Sequence, residues 1–107
     1  MISINEESAY QDLGGGVERK ILATGGTLMT VQFRFRKGAV GALHSHVHEQ
    51  VGFVASGRFE FTLEGKTSVL GPGDSYYVPS NVVHGALALE AGILVDVFTP
   101  QRQDFLV

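Results

Sequence analysis

The chain has 107 residues, a formal net charge of −3 and 44% hydrophobic residues, with no cysteine. This length predicts one domain, residues 1–107, with a modest core. The lack of cysteine excludes disulfides and thiolate metal sites. An acidic balance without a basic run argues against a nucleic-acid partner. No stretch approaches the roughly 20 apolar residues of a membrane helix, so no membrane partner is expected.

The N-terminal 16 residues are polar and end in three consecutive glycines. Acidic residues stand where a signal peptide has basic ones, and no apolar core region follows. We therefore expect a cytoplasmic protein. The glycines predict a flexible turn, because no strand, helix or phosphate-binding lysine gives them the context of a nucleotide site.

Most of the remaining chain alternates apolar and polar residues in short runs. In 28–36, Met29, Val31, Phe33 and Phe35 share one face and polar residues the other, which predicts a half-buried strand. Further strands are expected at 17–23, 58–64, 67–70, 75–79, 84–89 and 93–99. Gly-rich turns at regular spacing and no helical periodicity predict an all-β small barrel or jelly roll. Residues 100–107 are expected to form a short tail.

Histidines are concentrated in one segment, 38–57, which reads GAVGALHSHVHEQVGFVASG. His44, His46 and His48 occupy alternate positions, and a strand would send them to one face. Each imidazole carries two nitrogens that need hydrogen bonds or a metal. A fourth histidine, His84, follows downstream. The cluster therefore predicts a metal site.

The spacing of these residues resembles the two signatures of the cupin superfamily. The first signature corresponds to Gly38, His44, His46, Gln50 and Gly57, with glutamine where glutamate is usual. The second corresponds to Gly73, Pro79, Asn81 and His84, with asparagine at a usual glycine. This resemblance implies a single cupin barrel, a double-stranded β-helix or jelly roll, with its core at about residues 17–99.

The position of His84 predicts which side chains of the last two strands point into the barrel. If His84 points into the barrel, Ala86 and Ala88 point the same way and leave a cavity. In the last strand, Asp96 shares a face with Leu94 and Phe98. Because both faces of this strand are otherwise apolar, we predict that Asp96 lines a polar cavity rather than facing solvent.

Longer stretches resemble the KdgF family of pectin- and alginate-degradation cupins. They are DLGGGVERKIL, KGAVGALHSHVHEQVGFVASGRFEF, GDSYYVPSNVVHG and DVFTPQRQDFL. The resemblance implies ring opening of 4,5-unsaturated uronate monosaccharides to linear keto sugars, without a redox step. It also implies one divalent ion (Ni, Zn, Mn, Fe or Co). The implied metal ligands are His44, His46, Gln50 and His84, and the other functional residues are Asp96, Phe98 and Arg102.

In this chemistry Asp96 and Arg102 would be catalytic, with Asp96 moving a proton. Arg102 and Phe98 would bind the substrate, Arg102 through its planar fork. His48 receives no role, and one of Tyr76 and Tyr77 is expected to reach the cavity.

Two other functions share this fold. They are a dioxygenase that uses Fe(II) or Cu, which Gln50 disfavours, and a non-catalytic sugar-binding module. Small barrels of this type often pair, and the apolar Val51 and Phe53 suggest the face of a homodimer.

Overall fold

The computed structural model describes residues 1–106, in which ten strands form two antiparallel sheets. In chain order the strands are β1 (Gln11–Gly14), β2 (Val17–Gly25), β3 (Leu28–Phe35), β4 (Val40–His44), β5 (Glu49–Ser56), β6 (Phe59–Leu63), β7 (Lys66–Leu70), β8 (Ser75–Val78), β9 (His84–Ala88) and β10 (Gly92–Thr99). The six-stranded sheet has the order β1-β2-β3-β10-β5-β8, and the four-stranded sheet β4-β9-β6-β7. Short 3₁₀ helices span Asn5–Glu7 and Gln103–Phe105. In this part of the chain no helix has the length and apolar character needed to cross a membrane.

The alternating pattern of β3 is reproduced in the structure. Met29, Val31 and Phe35 are buried, while Arg34 is exposed. Because successive side chains of a strand point to opposite faces, one set lies between the sheets and the other set lies outside. The all-β jelly roll expected from the sequence is confirmed.

The core lies where the inner faces of the two sheets meet. Phe35 from β3 packs edge-on against Phe59 from β6, with ring centroids 5.3 Å apart. Burying a side chain of this size stabilises a fold by about 1.5–3 kcal/mol. The buried residues of this cluster are Val17, Phe35, Ala39, Val54, Phe59, Phe61, Tyr76, Val78, Ala88 and Leu94.

A second, smaller apolar cluster joins the end of the chain to the barrel. Met29, Val31 and Phe98 are buried there, and Phe105 packs against them from the C-terminal 3₁₀ helix. The short tail expected at 100–107 therefore packs against the barrel over its described part, through the aromatic contacts of Phe105. Val107 lies outside the described residues.

The histidine segment is not one continuous strand, which corrects the alternation argument. β4 ends at His44 and β5 begins at Glu49, so His46 and His48 lie in the connecting loop 45–48. Strand alternation thus does not explain why His44 and His46 are neighbours. The loop brings them together, and its hydrogen bonds are described below.

The N-terminal region contains a strand that the sequence analysis missed. β1 pairs with β2 through a tight hairpin at Gly14-Gly15-Gly16, whose φ values of 83°, 63° and 87° suit glycine. Upstream, Lys20 donates from Nζ to the Asn5 carbonyl oxygen over 3.0 Å. The N-terminal segment therefore covers the outer face of β2 and β3.

Candidate active site

A cavity of about 330 Å³ opens between the two sheets. Apolar side chains line most of it, including Phe33, Phe35 and Phe61. A mostly apolar pocket with a few convergent polar groups is the usual form of a small-molecule site. The polar side chains that line it are His44, Gln50, Tyr76, His84, Asp96 and Arg102.

Three imidazoles form what we term the histidine cluster: His44, His46 and His84. His44 ends β4 and pairs with His84 at the start of β9, so the sheet register places these two rings 4.3 Å apart. His46 comes from the loop, with its ring 4.9 Å from that of His84. One nitrogen from each ring lies within 4.8 Å of the others. Three convergent nitrogens are an arrangement that can hold a metal ion.

Backbone carbonyls fix the tautomer of each ring in the histidine cluster. A carbonyl oxygen only accepts hydrogen bonds, so a neutral ring must carry its proton on the Nδ1 that faces it. Each Nε2 is then left with a free lone pair. The acceptors are the carbonyls of Ala42 for His44 (2.8 Å), His48 for His46 (3.0 Å) and Val82 for His84 (2.9 Å).

Burial favours the neutral form of two of these rings, His84 and His46. It lowers the pKa of His84 to about 4, with the neighbouring His44 and His46 acting in the same direction. The pKa of His46 is also lowered, chiefly by burial and next by the positive charge of Arg102. Neutral imidazole is the form that binds metal, so both residues are available as ligands at neutral pH.

Gln50 completes a set of atoms that fits a cation. Its side chain is buried at the start of β5, and its Oε1 lies 3.1 Å from His46 Nε2. With the His46 proton on Nδ1, two lone pairs face each other across this distance, which is unfavourable unless a cation lies near both. The Nε2 of His84 is buried without a hydrogen-bond partner in the described residues. The donor set therefore fits one divalent metal ion.

Next to Gln50, the carboxylate of Asp96 is paired with the hydroxyl of Tyr76, and we term these two residues the carboxylate pair. Asp96 is 3% exposed in the middle of β10, and its Oδ1 accepts a hydrogen bond of 2.7 Å from the Tyr76 hydroxyl on β8. Burial raises the pKa of Asp96 to about 6, against the opposing effects of Tyr76, Gln50 and Arg102. Burial and the neighbouring Asp96 raise the pKa of Tyr76 well above its ordinary value. Its hydroxyl therefore keeps its proton and remains a hydrogen-bond donor.

The C-terminal segment brings a guanidinium to the cavity. The Arg102 side chain is only 12% exposed and lies over the rings of Phe98 and Phe105, at 5.1 and 4.2 Å. It donates from Nε and Nη2 to the two carboxylate oxygens of Asp104, over 3.1 and 2.9 Å. This pairing lowers the pKa of Asp104 and fixes the orientation of the guanidinium plane.

Comparison with known proteins agrees with this architecture. Residues 31–98 match the model of the cupin domain. The chain is 43% identical over 105 residues to the pectin degradation protein KdgF of Dickeya dadantii (strain 3937), covering 96% of each protein. This chain belongs to the KdgF family of cupins. The structure of KdgF from Halomonas sp. superposes with a TM-score of 0.94 at 43% identity, covering 98% of this chain and 97% of that one.

A more distant relative shows how widely the fold is used. The salicylate 1,2-dioxygenase of Pseudoaminobacter salicylatoxidans matches with a TM-score of 0.78 and 26% identity. The match covers 88% of this chain but only 30% of that protein. A cupin barrel of this size therefore also serves as one part of a larger oxygenase.

The structure brings the sequence-predicted residues together around one cavity. His44, His46 and His84 converge, and Gln50 of the six-stranded sheet joins them through its contact with His46. Asp96 and Phe98 of the same sheet, and Arg102 after it, line the same cavity. Their chemical roles remain predictions.

Sequence reasoning left one choice open and missed one aromatic residue. Tyr76 is the inward tyrosine, whereas Tyr77 is 50% exposed. Phe105, which packs over the cavity, was missed because a short C-terminal segment shows no periodicity. The signal that could have found it is its position directly after the polar run Gln101 to Asp104, where the chain becomes apolar again.

Proposed function

We propose that this protein opens the ring of 4,5-unsaturated uronate monosaccharides released from pectin or alginate, yielding linear keto sugars. The observation that carries the proposal is a buried carboxylate, Asp96, on the same cavity as a histidine cluster whose nitrogens are close enough together to hold a metal ion. The name of the Dickeya dadantii relative, which refers to pectin degradation, supports this substrate class.

The reaction is an isomerisation in which protons move and no electrons are exchanged. The C1 hydroxyl of the cyclic sugar loses its proton while the bond between C1 and the ring oxygen breaks, which produces an aldehyde at C1. The ring oxygen keeps the bonding electrons and becomes the oxygen of an enolate at C5. A proton added at C4 converts the enolate to a ketone. The proton lost and the proton gained balance.

Asp96 is the group suited to move that proton. Its pKa of about 6 leaves it mostly ionised at neutral pH but close enough to neutrality to return a proton. We propose that it accepts the proton of the C1 hydroxyl and delivers it to C4, so that it ends each cycle in its starting state. General acid–base catalysis of this kind contributes roughly 10²–10⁴-fold to a rate.

Arg102 is suited to hold the substrate carboxylate. Two of its five N–H groups bind Asp104, which leaves three with no acceptor among residues 1–106. A planar guanidinium can bind a carboxylate through two parallel hydrogen bonds. Phe98, buried beneath Arg102, would support the sugar ring and exclude water.

The histidine cluster and Gln50 would hold one divalent ion, with Ni, Zn, Mn, Fe and Co all compatible with nitrogen and amide oxygen ligands. When bound, this ion supplies a positive charge that stabilises the carboxylate and the developing enolate oxygen. Gln50 brings no negative charge to this set, unlike the glutamate usual at its position. The neutral amide therefore leaves the positive charge of the ion undiminished. Its hydrogen bond also favours the ionised form of the neighbouring Asp96.

The decisive experiment follows the enol-ether absorbance of unsaturated galacturonate monomer with purified protein, before and after treatment with a chelator. We expect the absorbance to decay only with metal-loaded protein and without oxygen uptake. Unchanged absorbance would contradict the proposal. Oxygen consumption with an aromatic or sugar substrate would instead favour a dioxygenase.

We also propose that the protein forms a homodimer through the outer face of β5, β8 and β10. Sheet register aligns Tyr77, Val51 and Val97 in one exposed apolar row, with Phe53 beside it. The N-terminal segment covers the β2–β3 half of the same face but not this half. Light scattering should give the mass of two chains, and Val51→Lys should give one. A monomeric wild type would contradict the proposal.

A further inference from the structure

The carboxylate pair is assembled across three neighbouring strands, with a glycine between its members. Sheet register places Asp96 of β10 and Tyr76 of β8 on either side of Gly52 in β5. All three positions face the cavity side of the sheet. The Tyr76 hydroxyl therefore reaches Asp96 directly above the α carbon of Gly52.

Gly52 leaves the space that this hydrogen bond occupies. A β carbon built on Gly52 would lie 2.6 Å from Tyr76 Oη and closer still to Asp96 Oδ1, and side chains do not tolerate such contacts. The backbone of Gly52 has no left-handed φ that would call for glycine. Close approach of the two side chains is thus the physical reason that this strand position has no side chain.

Tyr76 is held rigidly from its other side. Its ring stacks on Phe61 with centroids 4.0 Å apart and an interplanar angle of 23°. The phenol is buried, and its hydroxyl has one acceptor among the described residues, Asp96 Oδ1. A rigid donor with a single acceptor restricts rotation of the carboxylate it binds.

We propose that Tyr76 is a positioning residue that fixes the carboxylate plane of Asp96 and occupies Oδ1. Because Tyr76 engages Oδ1, proton exchange with a molecule in the cavity is directed to Oδ2, while the Gln50 side chain also stabilises the ionised carboxylate. This inference rests on the proposed function for its catalytic meaning, but the orientation of Asp96 is independent of it. Buried groups that orient a functional residue through a hydrogen bond typically affect activity by roughly 10–100-fold.

Tyr76→Phe tests the role with little change in packing, because the ring that stacks on Phe61 is kept. We expect kcat to fall by roughly 10–100-fold, with KM and metal content unchanged. Tyr10→Phe, which lies outside the cavity in the N-terminal segment against β3, is the matched control and should match wild type. An unchanged kcat in Tyr76→Phe, or an equal fall in both variants, would overturn the proposal.

Crystal structures of the metal-loaded wild type and Tyr76→Phe separate this inference from the proposed function. We expect the Asp96 carboxylate in one orientation in wild type and rotated or split in the variant. A carboxylate that keeps its orientation in Tyr76→Phe overturns the positioning role even if wild type opens the uronate ring. If wild type lacks ring-opening activity, the proposed function fails while the crystallographic comparison still decides the role of Tyr76.

Discussion

The histidine cluster and the carboxylate pair occupy one cavity but are positioned by different means. Each ring of the histidine cluster is fixed by a hydrogen bond to a main-chain carbonyl near it in sequence. The carboxylate pair instead depends on a bond between side chains 20 residues apart, formed across a glycine. Metal binding should therefore tolerate changes in nearby side chains, whereas proton transfer should respond to single-atom changes in its neighbours.

The largest effect is expected from removing one ring of the histidine cluster. His46→Ala deletes one of three convergent nitrogens, so we expect metal content to fall from about one ion per chain to near zero and ring opening to stop. Elemental analysis of the purified variant measures this. His48→Ala is the matched control, because the His48 contact to His46 is made by its main-chain carbonyl. Full metal occupancy in His46→Ala would remove it from the ligand set.

Asp96→Asn tests whether the carboxylate pair acts separately from metal binding. The substitution keeps the shape and the hydrogen bond from Tyr76 but removes the group that carries the proton. We expect kcat to fall by roughly 10²–10⁴-fold while metal content stays at the wild-type value. The measurement is absorbance decay with metal analysis of the same sample. Undiminished decay would exclude Asp96 from the mechanism.

The same variant should also change the pH dependence of stability. A pKa raised from 3.8 to about 6 means that folding favours the protonated form of Asp96. The contribution of Asp96 to the free energy of unfolding therefore falls by about 3 kcal/mol as pH rises through this range, and returns on acidification. Urea unfolding of the metal-free proteins should find Asp96→Asn the more stable above about pH 6, with the advantage lost below about pH 4. A difference that does not vary with pH would contradict this expectation.

The smallest effect is expected at Arg102, which belongs to neither group. Arg102→Lys keeps the positive charge but loses the planar fork, so KM should rise by about tenfold with kcat and metal content nearly unchanged. Steady-state kinetics on unsaturated galacturonate give both values. Arg34→Lys, at an exposed ion pair with Glu18, is a suitable control. A fall in kcat alone would show that Arg102 acts in the chemical step instead.

The sequence was sufficient to predict those parts of the site that depend on local pattern. Asp96 is predicted to face the cavity because both faces of its strand are otherwise apolar, a property of neighbouring residues, and it is buried in the structure. The inward choice of Tyr76 over Tyr77 depends on the register between β8 and β5, which pairs Tyr76 with Gly52 and Tyr77 with the exposed Val51. Local patterns do not report such long-range pairing.

One error and one omission have the same physical origin. The strand prediction for His46 is wrong because alternate histidines have strand spacing but the chain leaves the sheet after His44. The short tail predicted at 100–107 gave no sign of its packing, in which Phe105 contacts the guanidinium of Arg19 and the ring of Phe98. Both outcomes depend on partners far away in sequence, which override local propensity.

The facing lone pairs of His46 and Gln50 have a consequence for thermal unfolding. A cation that binds the folded chain and not the unfolded one shifts the folding equilibrium by mass action, by about 2.7 kcal/mol at a hundredfold excess over its dissociation constant. A bound cation removes the repulsion between His46 Nε2 and Gln50 Oε1, and this gain increases the affinity of the folded chain for the cation. The melting temperature of this small barrel should therefore rise with metal concentration, and the size of that rise for each ion gives an affinity ranking that requires no substrate.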